Sequence, residues 1–286
     1  MGYGSWDADS YKTYAYSTGR SVTSTGDLDS TYTHQDLFIS KKIDPKLVPF
    51  NVIRECNDSE EHPETVPVIL ALDVTGSMGS AAAEVAKKLN TVMTKLYENV
   101  KDVEFMVMAI GDLVYDRAPI QISQFEADIR VAEWLDKVYF EGGGGGNAFE
   151  SYTAAWYMGV RHMMLDSWKR GEKGILITMG DEPLNPYLPA EELGKATGDH
   201  LQGDVETKDL YRAACEKFDI YHLAVDDKAT SYRYYVPRIN ETWGKYLDSD
   251  HLRVVTLDSI VPQIVDIVTE ATKSDRINVT NSEIAW

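Results

Sequence analysis

The sequence predicts an α/β fold, a doubly wound and mostly parallel central sheet with helices on both faces, and three observations carry that prediction. Short, uninterrupted apolar runs recur, among them Val66–Leu72, Val103–Ile110 and Gly174–Thr178, and such runs suit strands covered on both faces. Between them lie stretches whose apolar residues recur at helical spacing. The two kinds of segment alternate, as βαβ units of a parallel sheet require.

Taken in order, residues 1–40 are rich in Ser, Thr, Tyr, Gly and Asp, with Tyr3, Trp6, Tyr11, Tyr14, Tyr16 and Tyr32 as their main apolar content. Such a segment has little core of its own, so it is either a mobile arm or an extended stretch whose rings pack on this domain or on a neighbouring subunit. Residues 57–65 form a polar connector. The run from Val66 is the first buried strand, and Val85, Leu89, Val92, Met93 and Leu96 predict a helix over residues 80–98. Val103–Ile110 is a second strand, and Pro119 to Phe125 a short edge strand, where proline is tolerated. Helices are expected over 126–137 and 148–166, a strand at Gly174–Thr178, a helix over 204–217, and strands at Ile220–Val225 and Leu252–Thr256. Asp258 or Ser259 then caps a final helix with Ile260, Ile264, Ile267, Val268 and Ala271 on one face. This divides the chain into an extension and connector (1–64), a domain (65–273) and a tail (274–286).

With 286 residues, 43% of them hydrophobic, the chain can bury a sizeable core. Its net charge of −18 argues against nucleic acid or an anionic membrane as the partner, since both repel such a surface. Cys56 and Cys215 lie far apart, outside any zinc spacing, and read as two reduced thiols of a cytoplasmic protein. The N-terminus has no secretory pattern, and no apolar stretch reaches the ~18 residues of a membrane helix.

In open α/β sheets ligands gather beyond the carboxyl ends of the strands, and three turns there carry chemistry. Asp73-Val74-Thr75-Gly76-Ser77-Met78-Gly79 places a carboxylate and two hydroxyls after the first strand. Gly142 to Gly146 form a glycine loop followed by Asn147, Glu150 and Ser151. Thr178-Met179-Gly180-Asp181-Glu182-Pro183 sets an acid pair after the fourth main strand. Oxygen-only ligands suit a hard cation, Mg²⁺ first, with Mn²⁺ or Ca²⁺ as alternatives.

The combination resembles the von Willebrand factor A (vWA) family and its metal-ion-dependent adhesion site. That family's Asp-x-Ser-x-Ser motif is matched by Asp73-x-Thr75-x-Ser77, with a hydroxyl-conserving change in the middle, and the resemblance covers about residues 65–273. The other loops depart from the pattern. Asn147, Glu150 and Ser151 stand where the family offers Thr, and Met179 occupies the Asp position of its Thr-Asp-Gly loop, with Asp181 two residues later. A Gly-Asp-x-Pro loop looks like a divergent, intracellular-type branch. The resemblance implies a metal on Asp73, Thr75 and Ser77, completed by Asp181 and by Asn147 or Glu150. It also implies a non-enzymatic interaction module whose partner offers Asp or Glu to the metal, an AAA+ ATPase system being one such partner. Met78, Asp112 and Glu182 are candidates for the rim the partner touches.

Three other readings stand beside it. Asp73 could be the nucleophile of a haloacid dehalogenase-like phosphatase. The Tyr-rich arm could build a homo-oligomeric scaffold with a structural metal site. The loops could also be merely structural. By default His162 and His222 are core-edge or surface residues, Asp112 and Asp116 sit in a solvated turn, and Tyr232, Tyr234, Tyr235 and Trp243 cover the core.

Overall fold

The computed structural model describes residues 4–142 and 150–283, with side chains as far as residue 273 in the closing helix. Six strands form the main sheet: β1 (Val66–Asp73), β2 (Val103–Ile110), β3 (Ile120–Ile122), β4 (Gly174–Gly180), β5 (Phe218–Val225) and β6 (Leu252–Val255). They lie in the order β3-β2-β1-β4-β5-β6. All neighbours are parallel except the edge strand β3, which runs antiparallel to β2. This is a doubly wound sheet whose direction of winding reverses between β1 and β4, the place where such sheets open a crevice. Leu72 pairs with Met179 in register, so Asp73 and Gly180 end adjacent strands side by side.

The uninterrupted apolar run of β1 follows from this central place. Val68, Leu70 and Leu72 enter the core on one face of the sheet, and Ile69 and Ala71 enter the core on the other, because successive strand side chains point to opposite faces. Among the described residues, no helix is long and apolar enough to cross a membrane.

The N-terminal segment is packed on this domain and is partly helical. Asp7 caps α1 (Ala8–Ser17), accepting from the Ser10 amide at 2.8 Å. Tyr11, Ala15, Leu28, Leu37 and Phe38 join the same core as α2 (Gly79–Lys87) and α3 (Leu89–Asn99). The mobile-arm alternative therefore gives way, and the composition misled because five scattered residues, Tyr11, Ala15, Leu28, Leu37 and Phe38, supply the buried contacts.

The single helix expected over 80–98 is these two, broken at Lys88. The N-terminal segment breaks it by capturing the groups of one ladder rung. The Leu28 amide donates to the Lys87 carbonyl at 2.9 Å. Thr91, the natural donor to that carbonyl, gives its amide to Asp27 Oδ1 at 2.9 Å and its hydroxyl to Asp27 Oδ2 at 2.6 Å. Inserted groups of this kind kink helices.

Other boundaries shrink. The helix expected over 126–137 is Arg130–Leu135, and that over 148–166 is α4 (Thr153–Arg161). Met163–Leu165 leaves the latter to pair in parallel with Arg54–Cys56. α5 (Tyr232–Trp243) follows β5, and α6 (Leu257–Glu283) closes the fold and runs on into the expected tail.

Candidate functional site

Three loops converge at the β1/β4 crevice. Asp73, the last residue of β1, is fully buried. Its Oδ1 accepts from the Thr75 amide at 2.9 Å and from the Thr75 hydroxyl at 2.6 Å, so the turn folds back on the carboxylate. Its Oδ2 accepts from the Tyr152 hydroxyl at 2.8 Å. The same hydroxyl accepts from the amides of Asp181 at 3.2 Å and Glu182 at 3.3 Å. One phenol thus ties the first loop to the third. It needs Gly180, because a Cβ there would collide with the phenol ring and hydroxyl.

Asp181 is also fully buried. Its Oδ2 accepts from the Ser231 amide at 2.5 Å, at the start of α5, and the Ser77 hydroxyl hydrogen-bonds to the same carboxyl group. Its Oδ1 is buried without a partner, as is Oε2 of Glu150, a residue only 3% exposed. Behind these groups His222 accepts or donates through Nδ1 to the Thr178 hydroxyl at 2.9 Å, and its ring stacks on Trp243 at 3.7 Å. Burial holds its pKa down to about 3, so it is neutral and supplies no counter-charge.

The electrostatics follow from that arrangement. Burial, then the charge of Asp181, pushes Asp73 up to about 7. Burial raises Asp181, opposed by the Ser231 amide and by Ser77. Burial, then Asp73 and Glu182, pushes Glu150 up to about 10. Burial, then Asp181 and Asp73, lifts Glu182 to about 8, with only Arg238 pulling the other way. Acids crowded out of water and facing one another cannot all ionise.

Expected and observed positions differ in several places. Asp73, Thr75, Ser77 and Asp181 come together, with Glu150 and Glu182 close enough to feel their charges. Asn147 lies outside the described residues. Met78, expected at the rim, is fully buried in the core beneath the first loop, and Asp112 is 1% exposed. Neither can face a partner. Asp112 is a structural turn residue, accepting from the Val114 amide at 2.6 Å and the Tyr115 amide at 3.1 Å, and not a solvated one. Ser151 likewise supports that turn, accepting from the Leu113 amide at 3.0 Å. Tyr152 was missed: a tyrosine at a helix start carries no signal until the strands are placed. His222 proved to be the floor of the site, and Tyr234 is exposed while Tyr232 and Trp243 are buried.

Among the described residues, no three His, Cys, Asp or Glu side chains form a metal-binding group. What converges is a mixed set, two carboxylates and two hydroxyls with one carboxylate oxygen unpartnered. Such hard oxygen donors fit a Mg²⁺-sized cation.

No protein-family model matches the sequence, and no curated protein does. Solved structures with related backbones include the pilus adhesin SpaC of Lactobacillus rhamnosus GG in its open conformation (TM-score 0.49, 12% identity, 77% of this chain and 31% of that one). The chain therefore spans about a third of SpaC. Others are the vWF domain of the type V pili tip protein Mfa5 of Porphyromonas gingivalis (0.44, 12%, 73% and 96%) and the conserved hypothetical protein BatB of Bacteroides thetaiotaomicron (0.43, 15%, 73% and 99%).

Proposed function

We propose that this chain is a protein-interaction module of the vWA type that works through one divalent cation, Mg²⁺ before Mn²⁺ or Ca²⁺. The observation that carries the reading is the pair of buried carboxylates, Asp73 and Asp181, on adjacent strand ends, where among the described residues Asp181 Oδ1 has no partner and no cation lowers the pKa of either acid. Asp73, Thr75, Ser77 and Asp181 would hold the ion, with Glu150 or Asn147 completing the set. When bound, it would offset the charge of these carboxylates and offer a position to an Asp or Glu of the partner.

The chain's own residues prepare the place. Thr75 and Tyr152 hold both oxygens of Asp73, and the Ser231 amide holds Asp181 at a helix start, where negative charge is favoured. This also weighs against Asp73 as a phosphatase nucleophile, whose attacking oxygen would have to give up the hydrogen bonds from Thr75 or Tyr152, whereas an ion held through water leaves them in place. The scaffold reading loses its free arm, because Tyr11 and Ala15 are buried in the core of their own domain and Trp6, Tyr14 and Tyr32 pack against it. A partner of the AAA+ ATPase kind, and a cytoplasmic setting that keeps Cys56 and Cys215 reduced, belong to the same proposal.

The test is calorimetric titration of Mg²⁺ and Mn²⁺ into the wild type, Asp73→Ala and Thr75→Ala. We expect stoichiometric binding in the wild type and loss in both variants with the fold intact. A wild type that binds neither ion sinks the proposal.

A further inference from the structure

The third loop does more than close the site; it aims a helix. The start of α5 is anchored on Asp181, whose carboxylate accepts from the Ser231 amide at 2.5 Å. Its last turn is tied to the same loop, with Trp243 Nε1 donating to the Glu182 carbonyl at 3.2 Å and the Leu184 amide donating to the Thr242 hydroxyl at 3.0 Å. The helix is thus fixed at both ends to residues 181–184.

What this helix shows to solvent is unusual for so acidic a chain. Tyr234 is 83% exposed, and its ring meets that of Tyr235 edge-on at 5.1 Å. Arg238 is exposed and lies over Tyr235 with its guanidinium 5.8 Å from the ring centre. Among the described residues, no carboxylate forms an ion pair with Arg238, while neighbouring Arg233 is already paired with Asp226 at 2.7 Å. Arg238 is also the cation whose charge reaches Glu182. On the other side of the crevice, the turn after β2 exposes Val114 and Tyr115, 54% and 56%. The order β2-β1-β4-β5 puts the end of β2 and the end of β5, from which α5 follows, on opposite flanks of Asp73 and Asp181. Three strand spacings separate those strand ends by about 14 Å, the reach of roughly four extended residues.

We infer that the partner of this site is an extended acidic segment held at two points, one carboxylate in the crevice and a second on Arg238, with its apolar side chains against Tyr234, Tyr235 and Tyr115. This rests on the interaction reading of the crevice and adds the partner's chemistry. An exposed arginine with no ion pair among the described residues gives an acidic side chain one point of attachment on a surface of net charge −18 that repels it elsewhere, and so fixes where the segment lies. Exposed tyrosines beside it supply rigid apolar contact area at low entropic cost.

The probe is a fluorescein-labelled 12-residue peptide of alternating Asp and Leu, with its Asn/Leu counterpart, titrated by anisotropy against the full chain in Mg²⁺ and in EDTA. We expect the acidic peptide alone to bind, Arg238→Glu to weaken it by about tenfold or more, Arg238→Lys by less, and Tyr234→Ser several-fold. Calorimetric Mg²⁺ binding should be retained in all three variants, unchanged in Tyr234→Ser and Arg238→Lys and not weakened in Arg238→Glu, whose added negative charge lies near Glu182. Binding within twofold of wild type in Arg238→Glu, equal binding of the Asn/Leu peptide, or no binding of either peptide overturns the inference. If Mg²⁺ does not bind, yet the acidic peptide binds in EDTA and is lost in Arg238→Glu, the surface stands and the metal reading falls.

Discussion

Replacing Tyr152 by Phe tests the strut on which the crevice depends. The substitution keeps the ring, which sits edge-on to His222 at 5.4 Å and tilted against Trp243 at 5.6 Å. It removes one hydroxyl that donates to Asp73 Oδ2 and accepts from two amides. A buried group left without its hydrogen bond costs about 1–3 kcal/mol. Three groups relaxing together give a net loss of about 3 kcal/mol, the low end for three such groups because the loops adjust. At about 2–4 °C per kcal/mol for a domain of this size, the metal-free protein should melt about 6–12 °C lower. A second effect separates this role from mere packing. The Tyr152 hydrogen bond lowers the Asp73 pKa, which burial already holds at about 7, so its loss raises that pKa further. Protons then compete better for the carboxylate. Mg²⁺ affinity should drop several-fold at pH 7 and recover toward wild type at pH 9. Calorimetry at both pH values and thermal melts in EDTA measure the two effects. A melting point within about 1 °C of wild type, or an affinity loss that is the same at both pH values, would refute the strut.

Three further outcomes follow from the same structure. Glu104, buried on β2 and accepting from the Cys56 thiol at 3.2 Å, is pushed up to about 7 chiefly by burial. A raised carboxyl pKa means the folded state binds the extra proton, so this group's contribution is intact below about 4.5 and is lost as pH rises through 7. Glu104→Gln should therefore match wild type at pH 4 and exceed it by up to about 3 kcal/mol at pH 8, read from urea midpoints; a deficit at pH 8 would contradict this. Gly180→Ala should cost about 1–3 kcal/mol by driving a Cβ into Tyr152, and an unchanged melting curve would mean that the loop yields freely. Asp27→Ala removes the acceptor of the Thr91 amide and should cost about 1–2 kcal/mol, with faster amide exchange confined to residues near Lys88.

The strands and the first loop were legible in the sequence because their physics is local. A short apolar run bounded by turn residues suits a strand covered on both faces, and in Asp73-x-Thr75-x-Ser77 the Thr75 hydroxyl folds back on the Asp73 carboxylate within one turn. Legibility failed where a partner came from far along the chain. Asp27 and Leu28 break a helix some sixty residues away, and no periodicity in residues 80–98 records it. Met78 sits beside Ser77 in the motif yet points into the core, since the short 3₁₀ turn Gly76–Met78 rotates it inward.

The sequence by itself determined a doubly wound sheet and the strand ends at which acids and hydroxyls would meet, because apolar pattern and chain order decide both. Only the tertiary structure decided that Tyr152, and not a residue of the glycine loop among those described, joins the first and third loops. It alone decided that Asp73 and Asp181 are buried together with no counter-charge among the described residues, and that α5 turns Tyr234 and Arg238 outward. The reason is that desolvation and charge proximity depend on which loops the strand order brings side by side, and that order is a property of the whole sheet.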